Sequence, residues 1–337
     1  MATSTFSCPD LTDTQSVNLE AMRSKLATLD EAFQASFEVL AQGEPDRSLM
    51  RFLWAREWHV DKAFSMLVDC LKWRRKYGTD TILQRPLEEA KMRAIRNGFH
   101  VGMSGYDKQG HPVIFVKVGP SKCGGATVDD YVKAHVQFSE WRDRVLCAEA
   151  SKRCGRPITT TTRILDCTGL TLGHLANLNL LNAMSKIDEF NYPEKANAYY
   201  LVNVPYVFTA IWKVVKPLLQ PRTINRVKVL SGNGLDTLRQ FIDEEHIPVF
   251  LRDPKSSVDC TSLDCSLHRR FWAYLQEQAA AAPPAARQEE AAAAAGHAHV
   301  ETPKKRHHRF SLRKGPEEGK QAADSGAVAP EPSHGAH

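Results

Sequence analysis

The sequence predicts an α/β fold, an all-helical lead-in followed by a mainly parallel sheet with helices, and three observations carry that prediction. Apolar residues recur at helical spacing as far as Gly78. From about Phe99, short β-branched runs alternate with longer helical stretches. After residue 278 large apolar side chains almost vanish.

In the lead-in, Leu49, Phe52, Leu53 and Arg56 precede VDKAFSMLVDCLKWRRKYG, where Ala63, Met66, Leu67, Cys70, Leu71 and Trp73 share a face and Gly78 supplies the stop. The turn Asp107-Lys-Gln-Gly110 precedes a strand at Val113–Val116. Further strands are expected within Ile158–Asp166, at Tyr199–Val204, at Val227–Leu230 and at Ile247-Pro248-Val249, with helices over about 128–150, 174–190, 206–219 and 234–243. The chain then divides into a helical extension (1–44), a helical domain (45–95), the sheet domain (96–255), a C-terminal helical segment (256–277) and an Ala/Pro-rich tail (278–337) too poor in apolar surface to offset chain entropy.

Composition excludes several classes. The chain has 337 residues, 42% hydrophobic and 25% charged, and 44 basic against 39 acidic residues give a net charge of only +5, so no general nucleic-acid-binding field exists. The basic excess is local: Lys304, Lys305, Arg306, Arg309, Arg313 and Lys314 fall within 11 residues that contain no acid. Eight cysteines show no Cys-x-x-Cys pair, and the first residues lack a signal-like apolar run, so reduced thiols and a cytoplasmic location are expected. The most apolar stretch, Ala198–Leu219, is interrupted by Asn203, Pro205, Lys213, Lys216 and Pro217, so any membrane contact is expected to be peripheral.

Catalytic signals are missing. No G-x-S-x-G, G-x-x-x-x-G-K-[ST] or H-E-x-x-H motif occurs, and the thirteen histidines do not cluster as metal ligands do. Gly232-Asn-Gly234 approaches a dinucleotide fingerprint, but Thr237 stands at its third position and little folded chain follows, so a strand-to-helix turn is the reading. No catalytic residue, cofactor or metal is assigned, and the chain is not read as an enzyme.

The passage Phe190–Leu230, FNYPEKANAYYLVNVPYVFTAIWKVVKPLLQPRTINRVKVL, carries a Tyr-Pro-Glu corner, a strand, an apolar helix broken at Pro217, and Pro221-Arg-Thr-Ile-Asn-Arg226. It resembles the CRAL-TRIO lipid-binding family, and within it the cytosolic phosphatidylinositol/phosphatidylcholine transfer proteins. Leu49-Met-Arg-Phe-Leu-Trp-Ala-Arg56, Val60-Asp-Lys-Ala63, Lys72-Trp-Arg-Arg-Lys-Tyr-Gly-Thr-Asp80, Asp107–Val113 and Ile164-Leu-Asp166 with Gly169 extend the likeness over about residues 45–250.

The resemblance implies an enclosed lipid cavity, a lead-in domain over 45–95 and a lipid-binding domain over 96–255. It implies a phosphatidylinositol headgroup site at Glu194, Arg226, Thr223 and Arg56, with Arg226 where the family has lysine, and a gating helix bearing Phe208, Ile211, Trp212 and Val215. An internal Glu194–Arg226 ion pair and an ordinary core helix are the plainer readings of the same residues. A second headgroup site would fall at Thr161, Arg163 and Ser139, near Ile114. There the family's hydroxyl and tyrosine positions are altered, and an arginine repels a quaternary ammonium, so the second ligand stays open. Glu57 replaces a family basic residue.

The implied function is binding, transfer and presentation of phosphatidylinositol by a monomer, with membrane lipids and lipid kinases as partners and no nucleic acid. A carrier for a sterol or fatty-acid derivative, or a regulatory module without transfer, is the alternative. The basic cluster at 304–314, interleaved with Phe310 and Leu312, reads as a tether to an anionic membrane surface, with nuclear targeting and a merely solvated linker as the rivals.

Overall fold

The computed structural model describes residues 11–256 and 266–282. Four helices open the chain: α1 (Asp13–Ala27), α2 (Glu31–Ala41), α3 (Pro45–Ala55) and α4 (Val60–Tyr77). Local chemistry sets their ends. Thr12 and Gln15 cap α1 reciprocally, Asp30 accepts from the Phe33 N–H at 2.9 Å, Pro45 occupies the first turn of α3, and Gly78 closes α4 in the left-handed conformation at φ 69°. Leu19 and Met22 of α1 and Phe37 of α2 pack in one core with Leu49, Phe52, Leu53, Leu67 and Leu71, so the extension and the helices after it bury a common surface.

After α5 (Glu89–Gly98) the chain forms the β1 (His100–Tyr106) to β2 (Pro112–Lys117) hairpin. Then follow α6 (Val128–Trp141), a π-helical segment (Arg142–Leu146), α7 (Cys147–Cys154), β3 (Thr161–Asp166), α8 (Leu178–Asn191) and β4 (Ala196–Val202). The remainder is α9 (Phe208–Val215), α10 (Pro221–Asn225), β5 (Val227–Val229), α11 (Leu235–Phe241), α12 (Val249–Arg252) and α13 (Ser266–Ala281). The sheet order is β1-β2-β3-β4-β5, antiparallel between β1 and β2 and parallel in the other three pairs, as the alternation of strands and helices predicts.

Period-two alternation divides the sheet into two faces. Phe115, Ile164, Tyr200 and Val202 meet Leu238, Ile242, Ile247 and Leu251 on one side. Leu165, Tyr199, Leu201 and Val227 face Phe208, Ile211 and Val215 on the other.

Three expectations change. The helix over 128–150 contains the π segment, which shifts the register of Arg142 and Asp143. Ile247-Pro248-Val249 is not a strand: Pro248 caps α12, its carbonyl accepting from the Leu251 N–H at 3.0 Å, and Ile247 and Leu251 bury under the sheet. α13 continues through 278–281, where a tail was expected, because alanine favours helix and Phe271, Leu275 and Ala282 are buried.

The loops after β2 and β3 approach closely. A methyl group at Gly119 would stand 1.8 Å from the Thr168 carbonyl oxygen. Gly119→Ala is therefore expected to cost about 1–3 kcal/mol of overpacking, read as a lower urea midpoint with an unchanged slope.

Candidate functional site

The face of the sheet turned toward α8 and α9 lines a cavity of ≈ 440 Å³. Its floor is Val116, Leu165, Cys167, Tyr199 and Leu201, alternate residues of the central strands or their immediate continuation. Leu180, Leu181 and Met184 of α8 form one wall. The facing wall is Phe208, Ile211, Trp212 and Val215 of α9, the four positions that the spacing i, i+3, i+4, i+7 puts on one helical face. Phe208 and Trp212 stack with ring centroids 5.6 Å apart. The Ser185 hydroxyl of α8 donates at 3.1 Å to the carbonyl of Leu218, the last residue of the Lys216–Leu218 3-10 turn that follows α9, and ties the two walls together there. Tyr206 is fully exposed and Val214 is 43% exposed, so this segment also presents apolar surface outward.

The sequence-predicted headgroup residues Arg56, Glu194, Thr223 and Arg226 all line this cavity. Glu194 sits in the corner between α8 and β4 with φ 60°, a left-handed conformation that disfavours a side chain. Arg226 bonds its carboxylate directly, and Arg222 Nη1, one turn earlier on α10, lies 3.6 Å from it. The ion pair and the cavity wall are thus the same feature. Arg222 is a residue the sequence reading missed, although its i, i+4 spacing from Arg226 was visible.

Arg56 ends α3, followed by Glu57 and Trp58 with φ 52° and 63°, and its Nη1 donates to the Ala55 carbonyl at 2.9 Å. No carboxylate lies within ion-pair distance of Arg56 among the described residues, which leaves its guanidinium available to an anion. Burial lowers its pKa and Glu189 offsets that, but an arginine keeps its charge. Glu57 is exposed and is not part of the cavity lining.

The second predicted group does not assemble. Arg163 lines the cavity, its guanidinium 5.4 Å from the Tyr199 ring centroid, but Thr161 and Ser139 are fully buried, form no part of that lining, and have hydroxyls without a hydrogen-bond partner among the described residues. The sheet part has a local cause: the β3–β4 register shifts between Thr161 and Thr162, so Thr161, although alternate with Arg163 and Leu165, is buried outside the lining. Ile114 is likewise buried outside the lining.

Near Arg163 the sequence concealed a pair separated by 53 residues, His135 of α6 and Asp188 of α8, joined Nε2 to Oδ1 at 2.8 Å on the cavity wall. Burial alone would raise the Asp188 carboxyl, but His135, and less directly Arg163 and Arg142, hold it below the ordinary carboxylate range. The basic cluster Lys304, Lys305, Arg306, Arg309, Arg313 and Lys314 lies outside the described residues.

Family models for the CRAL/TRIO domain and the CRAL/TRIO N-terminal domain match residues 96–251 and 18–69. The chain belongs to the CRAL/TRIO family. This CRAL/TRIO protein is 35% identical over 211 residues to the phosphatidylinositol/phosphatidylcholine transfer protein SFH13 of Arabidopsis thaliana, covering 60% of this chain and 34% of that one. It is 29% identical over 248 residues to the protein real-time of Anopheles gambiae, covering 70% of this chain and 35% of that one. The chain thus spans about a third of the length of these relatives. The crystal structure of Sfh5 shares the CRAL/TRIO fold, with TM-score 0.51, 16% identity, and coverage of 82% of this chain and 100% of that one. No described helix is long and apolar enough to cross a membrane.

A carboxylate held below its usual pKa contributes stability above its unfolded pKa of about 3.9 and loses it as pH falls through the folded value. Asp188→Asn is therefore expected to cost about 1–2 kcal/mol at pH 6, with the gap to wild type closing as pH falls below the ordinary carboxylate range, measured by urea titration across pH.

Proposed function

We propose that this chain encloses one phospholipid, phosphatidylinositol in preference to phosphatidylcholine, and exchanges it at membrane surfaces without bond chemistry. The observation that carries the reading is an apolar cavity with Arg56, Glu194, Thr223 and Arg226 grouped in its lining. At about 0.8 kcal/mol per methylene, two acyl chains represent on the order of 25 kcal/mol of hydrophobic free energy, so a water-soluble carrier must enclose them. A chain passing between bilayer and cavity exchanges one apolar medium for another, and the barrier is then that of opening a path. α9 is the path-opening element: Pro217 interrupts it, and its connection to α8 includes the Ser185–Leu218 hydrogen bond.

Inositol hydroxyls donate well to a carboxylate, and a phosphodiester accepts well from guanidinium and hydroxyl groups. Glu194 supplies the first function, and Arg56, Arg226 and Thr223 the second. Arg163 in the lining disfavours a quaternary ammonium there. The similarity to transfer proteins named for both phosphatidylinositol and phosphatidylcholine supports the lipid class. A lipid kinase that acts on the presented headgroup is the protein partner this function would serve.

Mass spectrometry of copurified lipid is expected to recover phosphatidylinositol. The double variant Glu194→Ala/Arg226→Ala, which removes both members of the pair, is expected to lower phosphatidylinositol transfer between vesicles at least tenfold while keeping its circular dichroism spectrum. Recovery of only lipids lacking inositol, or unchanged transfer, overturns the reading.

The six basic residues at 304–314 would tether the carrier to anionic membrane, each worth about 1 kcal/mol near the surface. Vesicle sedimentation of the full chain against one ending at residue 282 is expected to show weaker binding of the shorter chain to anionic vesicles. Equal binding removes the tether.

A further inference from the structure

Where α3, α4 and the π segment after α6 pack around the Tyr192–Lys195 corner, five cations meet three carboxylates. Arg74 bonds Glu140 and Asp80, and Arg144 bonds Glu140. Arg142 Nε donates to Asp143 Oδ1 at 2.8 Å and Lys195 Nζ lies 2.7 Å from Oδ2, so both oxygens of Asp143 are engaged. Arg51 has no carboxylate within ion-pair distance among the described residues, although it is only 5% exposed, and its side chain donates only to Ser48 Oγ, at 3.4 Å. Arg142 Nη2 is also buried without a partner. Further off, the Asp188 carboxylate acts on Arg142 and the Arg47 guanidinium on Arg51, so with these added the excess is still two positive charges in a buried place, an arrangement that is unfavourable unless something neutralises it.

Proton loss offers limited relief. Burial, and next the Arg51 guanidinium, push Lys195 down to about 8, which still leaves it mostly charged at neutral pH. Arg51 cannot lose its proton. A small cavity of ≈ 20 Å³ adjoins these groups, lined by Arg51, Arg74, Arg144 and Lys195 together with Glu140 and Asp143. Both lining carboxylates are already held by two cations each. The volume exceeds the roughly 10–15 Å³ that one water-sized occupant requires.

We propose that this cavity binds one monatomic inorganic anion of the chloride class, held by the Arg51 guanidinium and the Lys195 ammonium. The site is separate from the lipid headgroup group, but Tyr192, Pro193 and Lys195 line both cavities. The anion therefore braces the corner that carries Glu194, and occupancy stabilises the folded chain by mass action.

Thermal unfolding of the full chain is compared in sodium chloride, bromide and gluconate at equal ionic strength. Chloride and bromide are expected to raise Tm by roughly 5 °C at saturation relative to gluconate, with Arg51→Met abolishing the difference. Crystals soaked in bromide are expected to show an anomalous peak at the cavity. Equal Tm in the three salts, or a halide effect retained in Arg51→Met, overturns the proposal. Should that variant fail to fold, the wild-type bromide crystal decides: no anomalous peak means that water alone occupies the cavity, and the proposal falls.

Discussion

The Glu140 carboxylate is the point on which the arrangement of the two halves depends. It is 3% exposed and receives Arg74 Nη1 at 2.8 Å from α4, Arg144 Nη2 at 2.5 Å from the π segment and the Tyr192 hydroxyl at 2.7 Å from the corner before β4. Arg74 also grips Asp80, which accepts from the Ser36 hydroxyl of α2 at 2.6 Å. Helical lead-in and sheet domain are thereby joined through charge as well as apolar contact. Such a buried network adds little over a well-packed apolar replacement, but removing one member costs about 3–5 kcal/mol because the others are left buried and unpaired. Its value is positional: Tyr192 fixes the chain two residues before Glu194 and three before Lys195.

From that fixed corner the rest of the site follows by chain geometry. β4 leaves the corner in register with β3, and alternation sends Tyr199 and Leu201 into the cavity while Tyr200 and Val202 go to the opposite core. One face of the sheet is thus closed by α11 and α12, and the other is held away from α8 and α9. The polar groups grouped in the lining at Glu194 and Arg226 lie where β4 begins and α10 ends. A hydrophobic compartment with charged groups fixed on its wall can orient an amphipathic ligand.

What the sequence disclosed and what it concealed divide along a physical line. The strand–helix alternation, the Asp107–Gly110 turn and the helical stripe Phe208, Ile211, Trp212 and Val215 are local patterns, and all were legible. Glu194, Thr223 and Arg226 were placed by family likeness, and the structure brings them to one cavity. Pairings between distant residues left no trace in the chain: Arg74 with Glu140 at 66 residues, His135 with Asp188 at 53, and Arg51 near Lys195. Thr161 fell outside the cavity because the β3–β4 register shifts between Thr161 and Thr162, and Ser139 because its place on α6 is fully buried, neither of which a local sequence pattern discloses. Ile247–Val249 misled because an apolar triplet reads the same for a strand as for a short buried turn, and Pro248 cannot donate to a ladder.

The left-handed backbone at Glu194 has an evolutionary consequence. A residue with a β-carbon in that conformation costs roughly 1–2 kcal/mol, and glycine would adopt it freely. Selection for thermal resistance alone would therefore favour Glu194→Gly and discard the carboxylate that Arg226 and Arg222 face. The glutamate is thus held at a conformational cost that glycine would not incur, and the fold around it must supply that cost.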